Sequence, residues 1–173
     1  MRYFNGFSLH GEEAFFSEFL IESDLCVAGF SYGAQQAFEY VYHSTQRVDR
    51  LILLSPAFFQ NQKPSFIRSQ LRYFQSGQES YIKRFLENAA YPSQVDLSAF
   101  LETGTHEALE TLLTYRWESE KIKEVIARCT TIEVFLGSKD GIIDAAAAFD
   151  FFAEHTVAYW IKGAGHLLRD STS

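Results

Sequence analysis

A serine framed by two glycines, in a Gly-X-Ser-X-Gly segment at residues 29–33, is the feature of this sequence that points most directly to chemistry. It follows an apolar run at 25–28 and precedes a stretch, 34–42, whose apolar residues recur at helical spacing. The order of strand, sharp turn and helix lifts a serine oxygen clear of a sheet, because the glycines tolerate a strained turn and close neighbours. The pattern therefore predicts a nucleophile elbow with Ser31 at its apex.

A serine of this kind needs a histidine as its base and an acid that orients the histidine. After a nucleophile elbow the acid comes first along the chain and the histidine second, each just beyond a later strand. The β-branched and aromatic run at 131–137 ends at a glycine, and Asp140 follows in its exit loop. The strand pattern at 157–161 leads into a glycine-containing loop that ends at His166. We therefore expect Asp140 to orient His166 and His166 to act as the base. Asp144 is an alternative acid, although its position favours the first turn of the next helix.

Attack by Ser31 on a carbonyl also requires two N–H donors for the oxyanion that forms. The backbone N–H of Tyr32, directly after the serine, is the first expected donor. The second is the backbone N–H of Phe7, in the loop 5–8 that leaves the first strand, since Gly6 permits the necessary turn. The side chains of Phe7 and Tyr32 are then expected to line an acyl pocket.

Strand and helix patterns alternate along the chain, which predicts an α/β fold with about five mostly parallel strands flanked by helices and covered on both faces. The predicted strands are Arg2–Phe4, 25–28, Leu51–Leu54, Ile132–Leu136 and Val157–Ile161. A further helix is predicted from Glu12 to Ile21, with its phenylalanines on one face.

The sequence pattern changes at residues 58–128. It predicts a series of short amphipathic helices inserted before the penultimate strand. Ser76 and Glu79 have the spacing of a capping box at the start of one of them. Because the flanking strands carry the candidate reactive groups, these helices are predicted to form a lid over the site. The alternative is that they only complete the core.

The length of 173 residues and the 47% content of apolar residues predict a single domain, 1–173, with one core. No leader pattern begins the sequence and no apolar run approaches bilayer length, so we expect neither export nor a membrane association. Cys26 and Cys129 lack C-x-x-C spacing, which favours buried free thiols in a reducing cytoplasm. No metal-ligand cluster or phosphate-binding loop occurs, and the sequence implies neither a cofactor nor a metal.

Charge is unevenly distributed along the chain. The formal net charge is −7, yet residues 60–84 carry five basic residues against Glu79 alone. Arg68 and Arg72 lie four residues apart and share one helix face. This predicts a cationic edge suited to an acidic protein or a phosphate-bearing substrate, whereas the negative charge of the whole chain argues against nucleic acid.

Taken together, four segments resemble the α/β-hydrolases over the whole chain. They are the elbow at 29–33, Leu-Leu-Ser-Pro at 53–56, the run 132–137 with its following Asp140, and Gly-His-Leu-Leu at 165–168. The short segment before the elbow, the Ile-Glu-Val-Phe run and the His-Leu-Leu ending further resemble the small BioV-type pimelyl-acyl-carrier-protein methyl ester esterases of biotin synthesis. The resemblance implies a minimal α/β-hydrolase fold without the usual antiparallel opening strands.

For function, the resemblance implies a Ser31, Asp140 and His166 triad that hydrolyses the methyl ester of a pimelyl chain. That chain is tethered by phosphopantetheine to acyl-carrier protein. Carrier proteins are acidic, so the resemblance implies a docking role for the basic residues of the segment 60–84; they are Lys63, Arg68, Arg72, Lys83 and Arg84. A thioesterase, a general short-chain carboxylesterase and a non-catalytic module that binds an acyl group or a protein remain alternatives.

Overall fold

A computed structural model describes residues 1–172 and contains one five-stranded sheet. The strands stand side by side in chain order, and every neighbouring pair is parallel. They are β1 (Arg2–Phe4), β2 (Cys26–Phe30), β3 (Arg50–Leu54), β4 (Thr131–Gly137) and β5 (Val157–Ile161). All five carboxyl ends therefore meet at one edge of the sheet, and the predicted α/β class with five parallel strands is confirmed.

Six α-helices and two short 3-10 helices connect the strands within the described residues. The α-helices are α1 (Tyr32–His43), α2 (Pro64–Ser76), α3 (Gln78–Ala90), α4 (His106–Thr114), α5 (Ser119–Ala127) and α6 (Ala145–Ala153). The 3-10 helices are Glu12–Phe16 and Ser98–Phe100. Helix α1 packs on β2 and β3, and α6 packs on β4 and β5. Across residues 1–172, no helix combines the length and apolarity needed to cross a membrane.

The core is centred on β2 and β3. Every residue of β2 is buried, and residues 51–54 of β3 have no exposed surface. Such unbroken apolar strands are typical of parallel sheets covered on both faces. At β5 that prediction is wrong, because Val157, Tyr159 and Trp160 are each more than 40% exposed. This strand pairs with β4 alone, and its side chains lie at the rim of the sheet.

The helical segment between β3 and β4 is divided between two locations. Helix α2 contacts α3 and α4, and these three helices surround a groove described below. Helix α5 instead contacts α1 and buries Ile122 and Val125. The alternative that the inserted helices complete the core therefore describes α5, while α2 to α4 surround the groove, with α2 in contact with both of the others.

Three local predictions are wrong. The segment after Glu12 forms only a five-residue 3-10 helix, which begins after Gly11 at φ 76° and packs Phe16 into the core. Ser76 ends α2 instead of capping α3, because its hydroxyl donates to the carbonyl of its own helix at Arg72. Both cysteines are free thiols, but only Cys26 is buried and Cys129 is exposed.

Candidate active site

Ser31 occupies the turn between β2 and α1 and has a strained backbone, with φ 54° and ψ −112°. A side chain in this region costs on the order of 1–3 kcal/mol, and it persists only where the surroundings enforce it. They do so here, since a Cβ at Gly29 would meet the backbone of Gly33 and one at Gly33 would meet the carbonyl of Phe4. The elbow therefore packs against the end of β1 with no room for side chains beside the serine.

The three side chains selected from the sequence form one hydrogen-bonded chain. His166 Nε2 lies 2.9 Å from Ser31 Oγ, and His166 Nδ1 lies 2.6 Å from Asp140 Oδ2. A proton on Nδ1 donates to the Asp140 carboxylate and leaves Nε2 free to accept the hydroxyl proton of Ser31. Residues separated by 135 positions in the chain are thus in contact, in the order that activation of a serine requires.

Asp140 is fixed by its own loop. Its Oδ1 accepts from the backbone N–H groups of Ile142 at 2.8 Å and Ile143 at 3.1 Å, while Oδ2 faces His166. These two donors hold the carboxyl group in one orientation. Asp144 does not reach the histidine, because it caps α6 by accepting from the Ala147 N–H at 3.0 Å. The structure therefore brings Asp140 to His166 and uses Asp144 as a helix cap.

The site is closed to solvent. The exposed fraction of Ser31 is 2% and that of His166 is zero. The ring of Phe30 lies 5.0 Å from the imidazole and packs in turn against Phe16 at 4.8 Å. In such a dry setting an electrostatic interaction is stronger than in water, so the hydrogen-bonded chain is well placed to stabilise charge.

The two backbone N–H groups expected to bind the oxyanion have no acceptor among residues 1–172. They belong to Phe7, in the loop after β1, and to Tyr32, the first residue of α1. Tyr32 lies at the N-terminus of α1, which is the positive end of the helix dipole. The first turn of α1 contains no acidic residue that would offset this positive charge. Both amides, which the sequence analysis selects as oxyanion donors, are therefore available to an anion.

Two cavities flank the site, and neither is lined by Ser31 or His166. The smaller, of about 310 Å³, lies beside the loop after β1 and is lined by Phe7 and Tyr32 among others. The larger, hereafter the wide groove, has a volume of about 1070 Å³. It lies between α2, α3 and α4 and reaches residues 141–144, which follow Asp140 in the chain. The wide groove has room for an extended chain, whereas the smaller cavity is at the lower limit for a small ligand.

The five basic residues of the segment 60–84 are all exposed, and no ion pair within the described part of the chain involves any of them. Arg84 of α3 lines the wide groove. Arg68 and Arg72 of α2 do not line it, because the side of α2 that faces the groove carries Phe66, Gln70 and Tyr73. The basic residues are thus free to contact another molecule. Only Arg84 is placed to do so inside the wide groove.

Sequence reasoning did not single out two buried polar residues near the site. Gln35, one turn into α1, donates from Nε2 to the carbonyls of Ala57 at 3.0 Å and Leu112 at 3.1 Å. It thereby joins the elbow helix to α4. Glu12 is completely buried and accepts from the backbone N–H of Gly6 at 2.6 Å. The burial of Gln35 could have been predicted, because it is a polar residue on the apolar face of α1. No sequence pattern distinguishes Glu12 from a surface acid.

Among residues 1–172, no cluster of His, Cys, Asp and Glu could hold a metal ion. No protein-family model matches the chain, and no curated protein matches it. Solved structures do match it. A carboxylesterase from Bacillus subtilis has a TM-score of 0.53 and 20% identity over 93% of this chain and 62% of its own.

Two further solved structures match this chain to a similar extent. A naproxen esterase from Bacillus subtilis has a TM-score of 0.55 and 18% identity over 83% of this chain and 53% of its own. An esterase from Exiguobacterium antarcticum has a TM-score of 0.53 and 17% identity over 82% of this chain and 59% of its own. This chain thus spans less than two thirds of the length of these proteins. At such identities the likeness concerns the fold, and the fold of this chain is that of the α/β-hydrolases.

Proposed function

We propose that this chain is a serine esterase that hydrolyses the methyl ester of a pimelyl chain carried by acyl-carrier protein. The observation that carries the esterase part is the hydrogen-bonded chain from Ser31 through His166 to Asp140, with distances of 2.9 Å and 2.6 Å. A serine, an imidazole and a carboxylate in this order are the groups needed for acyl transfer through a covalent intermediate.

In the proposed reaction, Ser31 Oγ attacks the ester carbonyl while His166 Nε2 takes the hydroxyl proton. The bond to the methoxy group then breaks, and His166 returns the proton so that methanol leaves. Water attacks the resulting acyl-serine ester, again giving a proton to His166, and the free carboxylic acid is released with Ser31 restored. Asp140 keeps the imidazole oriented and stabilises its charged form at both steps.

The tetrahedral oxyanion of both steps would be held by the N–H groups of Phe7 and Tyr32. Both amides lack an acceptor among residues 1–172, which supports this role. Removal of one such donor typically costs about 2.7–4 kcal/mol of barrier, so the pair would account for a large share of the rate.

The wide groove, and not the smaller cavity that Phe7 and Tyr32 line, would hold the acyl chain beneath α2 to α4, which then serve as the lid. Its lining supports an aliphatic chain, since Phe59, Phe66 and Leu112 contribute apolar surface and Arg84 contributes a cation. Because Ser31 is only 2% exposed, the ester would reach it after groove side chains move aside. Helix α2 would be the element that shifts, since Gly77 separates it from α3.

The carrier protein would dock on the exposed basic residues of α2 and α3. These residues have no acidic partners within the described residues, so an acidic carrier could pair with them without breaking existing ion pairs. The free thiols of Cys26 and Cys129 are compatible with a reducing compartment, and we place the reaction in the cytoplasm.

The product of a carrier-bound methyl ester tests this proposal against its rivals. After incubation with the chain, mass spectrometry of the carrier should show the loss of one methyl group with the acyl chain still attached, together with methanol. A bare carrier would instead identify a thioesterase, because the same serine can attack the thioester carbonyl. Hydrolysis of short p-nitrophenyl esters with an unchanged carrier would identify a general short-chain carboxylesterase.

A further inference from the structure

The buried carboxyl of Glu12 lies next to the loop that carries Phe7. Glu12 has no exposed surface, although it begins a short 3-10 helix only two residues after the exposed His10. Its Oε1 accepts from the Gly6 N–H at 2.6 Å and from the Tyr3 hydroxyl at 3.4 Å, and its Oε2 has no partner among the described residues. No ion pair of residues 1–172 includes this carboxyl.

A buried acid with no cation is costly, which makes its presence here informative. An isolated ionised carboxylate in a protein interior is so unfavourable that the group becomes neutral instead. Burial raises the pKa of Glu12, the Gly6 N–H offsets part of that rise, and the neighbouring Glu13 adds to it. An apolar residue would avoid this cost, so the acid contributes something that an apolar side chain cannot: an acceptor for the Gly6 N–H.

The residue that Glu12 binds, Gly6, has no side chain to restrain its backbone torsions. Gly6 lacks a side chain because a Cβ there would lie 2.7 Å from the ring of Phe30, immediately before Ser31 in the chain. Glycine has the widest choice of backbone torsions of any residue. The orientation of the peptide groups on either side of Gly6 must therefore be set by hydrogen bonds.

Two hydrogen bonds set that orientation. On one side, Glu12 holds the Gly6 N–H. On the other, the Gly6 carbonyl accepts from the Leu9 N–H at 3.2 Å. That carbonyl belongs to the same peptide group as the Phe7 N–H, which is directed the opposite way because the peptide is planar and trans. Fixing both peptides of Gly6 fixes the direction of the Phe7 N–H.

We propose that Glu12 is a positioning residue that locks Gly6 so that the Phe7 N–H remains aimed at the oxyanion formed on Ser31. This inference rests on the proposed function, since it assumes an acyl-transfer reaction at Ser31. Glu12 touches neither the substrate nor the reacting atoms in this account; it acts through the backbone of one glycine.

Three variants of Glu12 separate this role from a purely structural one. Glu12→Gln keeps both the length and an oxygen acceptor, Glu12→Asp keeps the acid but shortens the reach, and Glu12→Met keeps the volume without an acceptor. With a p-nitrophenyl ester as substrate, we expect kcat to fall about 10-fold to 100-fold in Glu12→Asp and Glu12→Met, with KM changed less than about threefold. In Glu12→Gln, kcat should stay within about threefold of wild type.

Glu13→Gln is the matched control, because Glu13 is the exposed neighbour on the same short helix. Each kcat is calculated per folded active site, measured by circular dichroism and by titration with a fluorophosphonate. A trifluoromethyl ketone, which forms an oxyanion on the serine, provides a second readout. Its inhibition constant should rise in parallel with the loss of kcat/KM in Glu12→Asp and Glu12→Met.

The outcomes are distinct. Equal kcat per folded site in all three variants would overturn the positioning role and leave Glu12 a structural residue. A larger loss in Glu12→Gln than in Glu12→Asp would also overturn it, because charge and not reach would then matter. If Glu12→Met does not fold, the Gln and Asp variants still decide. An inactive wild-type chain would instead refute the proposed function, independently of Glu12.

Discussion

The loops at the carboxyl ends of β2, β4 and β5 differ from helices α2 to α4 in the burial and pairing of their polar side chains. In the loops, Ser31, Asp140 and His166 are buried, and each has a defined hydrogen-bond partner. On the helices, the basic side chains are exposed and take part in no ion pair of the described residues. The loops are preorganised for one geometry, whereas the helices present groups that can adapt to a partner.

This difference indicates a division of labour between chemistry and recognition. Buried and fully paired groups act only if their positions are kept, so any change there should affect the rate with every substrate. Exposed charges act through long-range attraction, so changes there should affect only a charged partner and should depend on salt. The following predictions test that division, from the largest effect to the smallest.

Loss of the nucleophile should have the largest effect. We expect Ser31→Ala to lower kcat about 10⁴-fold or more on both a small ester and a carrier-bound ester, because no covalent intermediate can form. Binding of the carrier, measured by titration calorimetry, should be unchanged. A variant that retains more than about a tenth of the activity would show that Ser31 is not the nucleophile.

The carboxylate that orients the imidazole should come next. Asp140→Asn should lower kcat about 10³-fold to 10⁴-fold, because an amide cannot hold the Nδ1 proton in the required tautomer. Asp144→Asn is the matched control, since Asp144 caps α6, accepts from Asn61 Nδ2 and lines the wide groove but makes no hydrogen bond to His166. It should retain full activity per folded molecule, and asparagine should preserve the cap. Steady-state kinetics of both variants provide the test. A large loss of kcat in Asp144→Asn and none in Asp140→Asn would show that Asp144 orients the imidazole.

Charge reversal on α2 should have a smaller and selective effect. In the double variant Arg68→Glu and Arg72→Glu, kcat/KM for the carrier-bound ester should fall about 10-fold at low salt, because like charges then repel the carrier. The same variant should hydrolyse a p-nitrophenyl ester at the wild-type rate. Arg116→Glu with Lys162→Glu is the control with the same change in net charge at exposed positions elsewhere. An equal loss in both double variants would refute a specific docking surface.

The smallest expected effect concerns stability and pH. Because burial raises the pKa of Glu12 in the folded chain, the unfolded chain releases this proton first as the pH rises. The stability contributed by the neutral carboxyl is therefore complete below the unfolded value, near 4.5, and is lost as the pH rises towards the folded value. Each pH unit in that window costs at most about 1.4 kcal/mol.

Glu12→Gln should remove this dependence, since an amide does not titrate. Urea unfolding at several pH values above 4.5 should show the stability of wild type falling relative to that of Glu12→Gln. Tyr3 and Glu13 are the other ionisable groups facing this carboxyl, and they are present in both proteins. A constant difference across the pH range would mean that the Glu12 carboxyl titrates normally.

The elements around the site were predictable from the sequence for local reasons. The glycines on both sides of Ser31 encode the strained turn directly, and the apolar runs before Asp140 and His166 mark the strands that end beside it. Each signal lies within about ten residues of the side chain it positions. Chain order then supplied the long-range pairing, because parallel strands bring their carboxyl ends to one edge.

What the sequence could not show depends on contacts between distant segments. The exposure of Tyr159 and Trp160 follows from the edge position of β5, which the apolar pattern of that strand does not encode. The burial of Glu12 follows from packing of a short 3-10 helix through Phe16 against Phe30. The separation of α5 from α2 to α4 is likewise a matter of packing, since all four helices have similar amphipathic patterns.

The most direct test of the catalytic account is covalent labelling by a fluorophosphonate, which reacts with activated serines and not with ordinary hydroxyls. Intact-mass and peptide analysis of the wild-type chain should show one adduct per molecule, located on Ser31, with none on Ser31→Ala and greatly slowed formation on a His166→Ala variant. An unlabelled wild-type chain that still binds an acyl-carrier protein would contradict the account and identify a non-catalytic binding module.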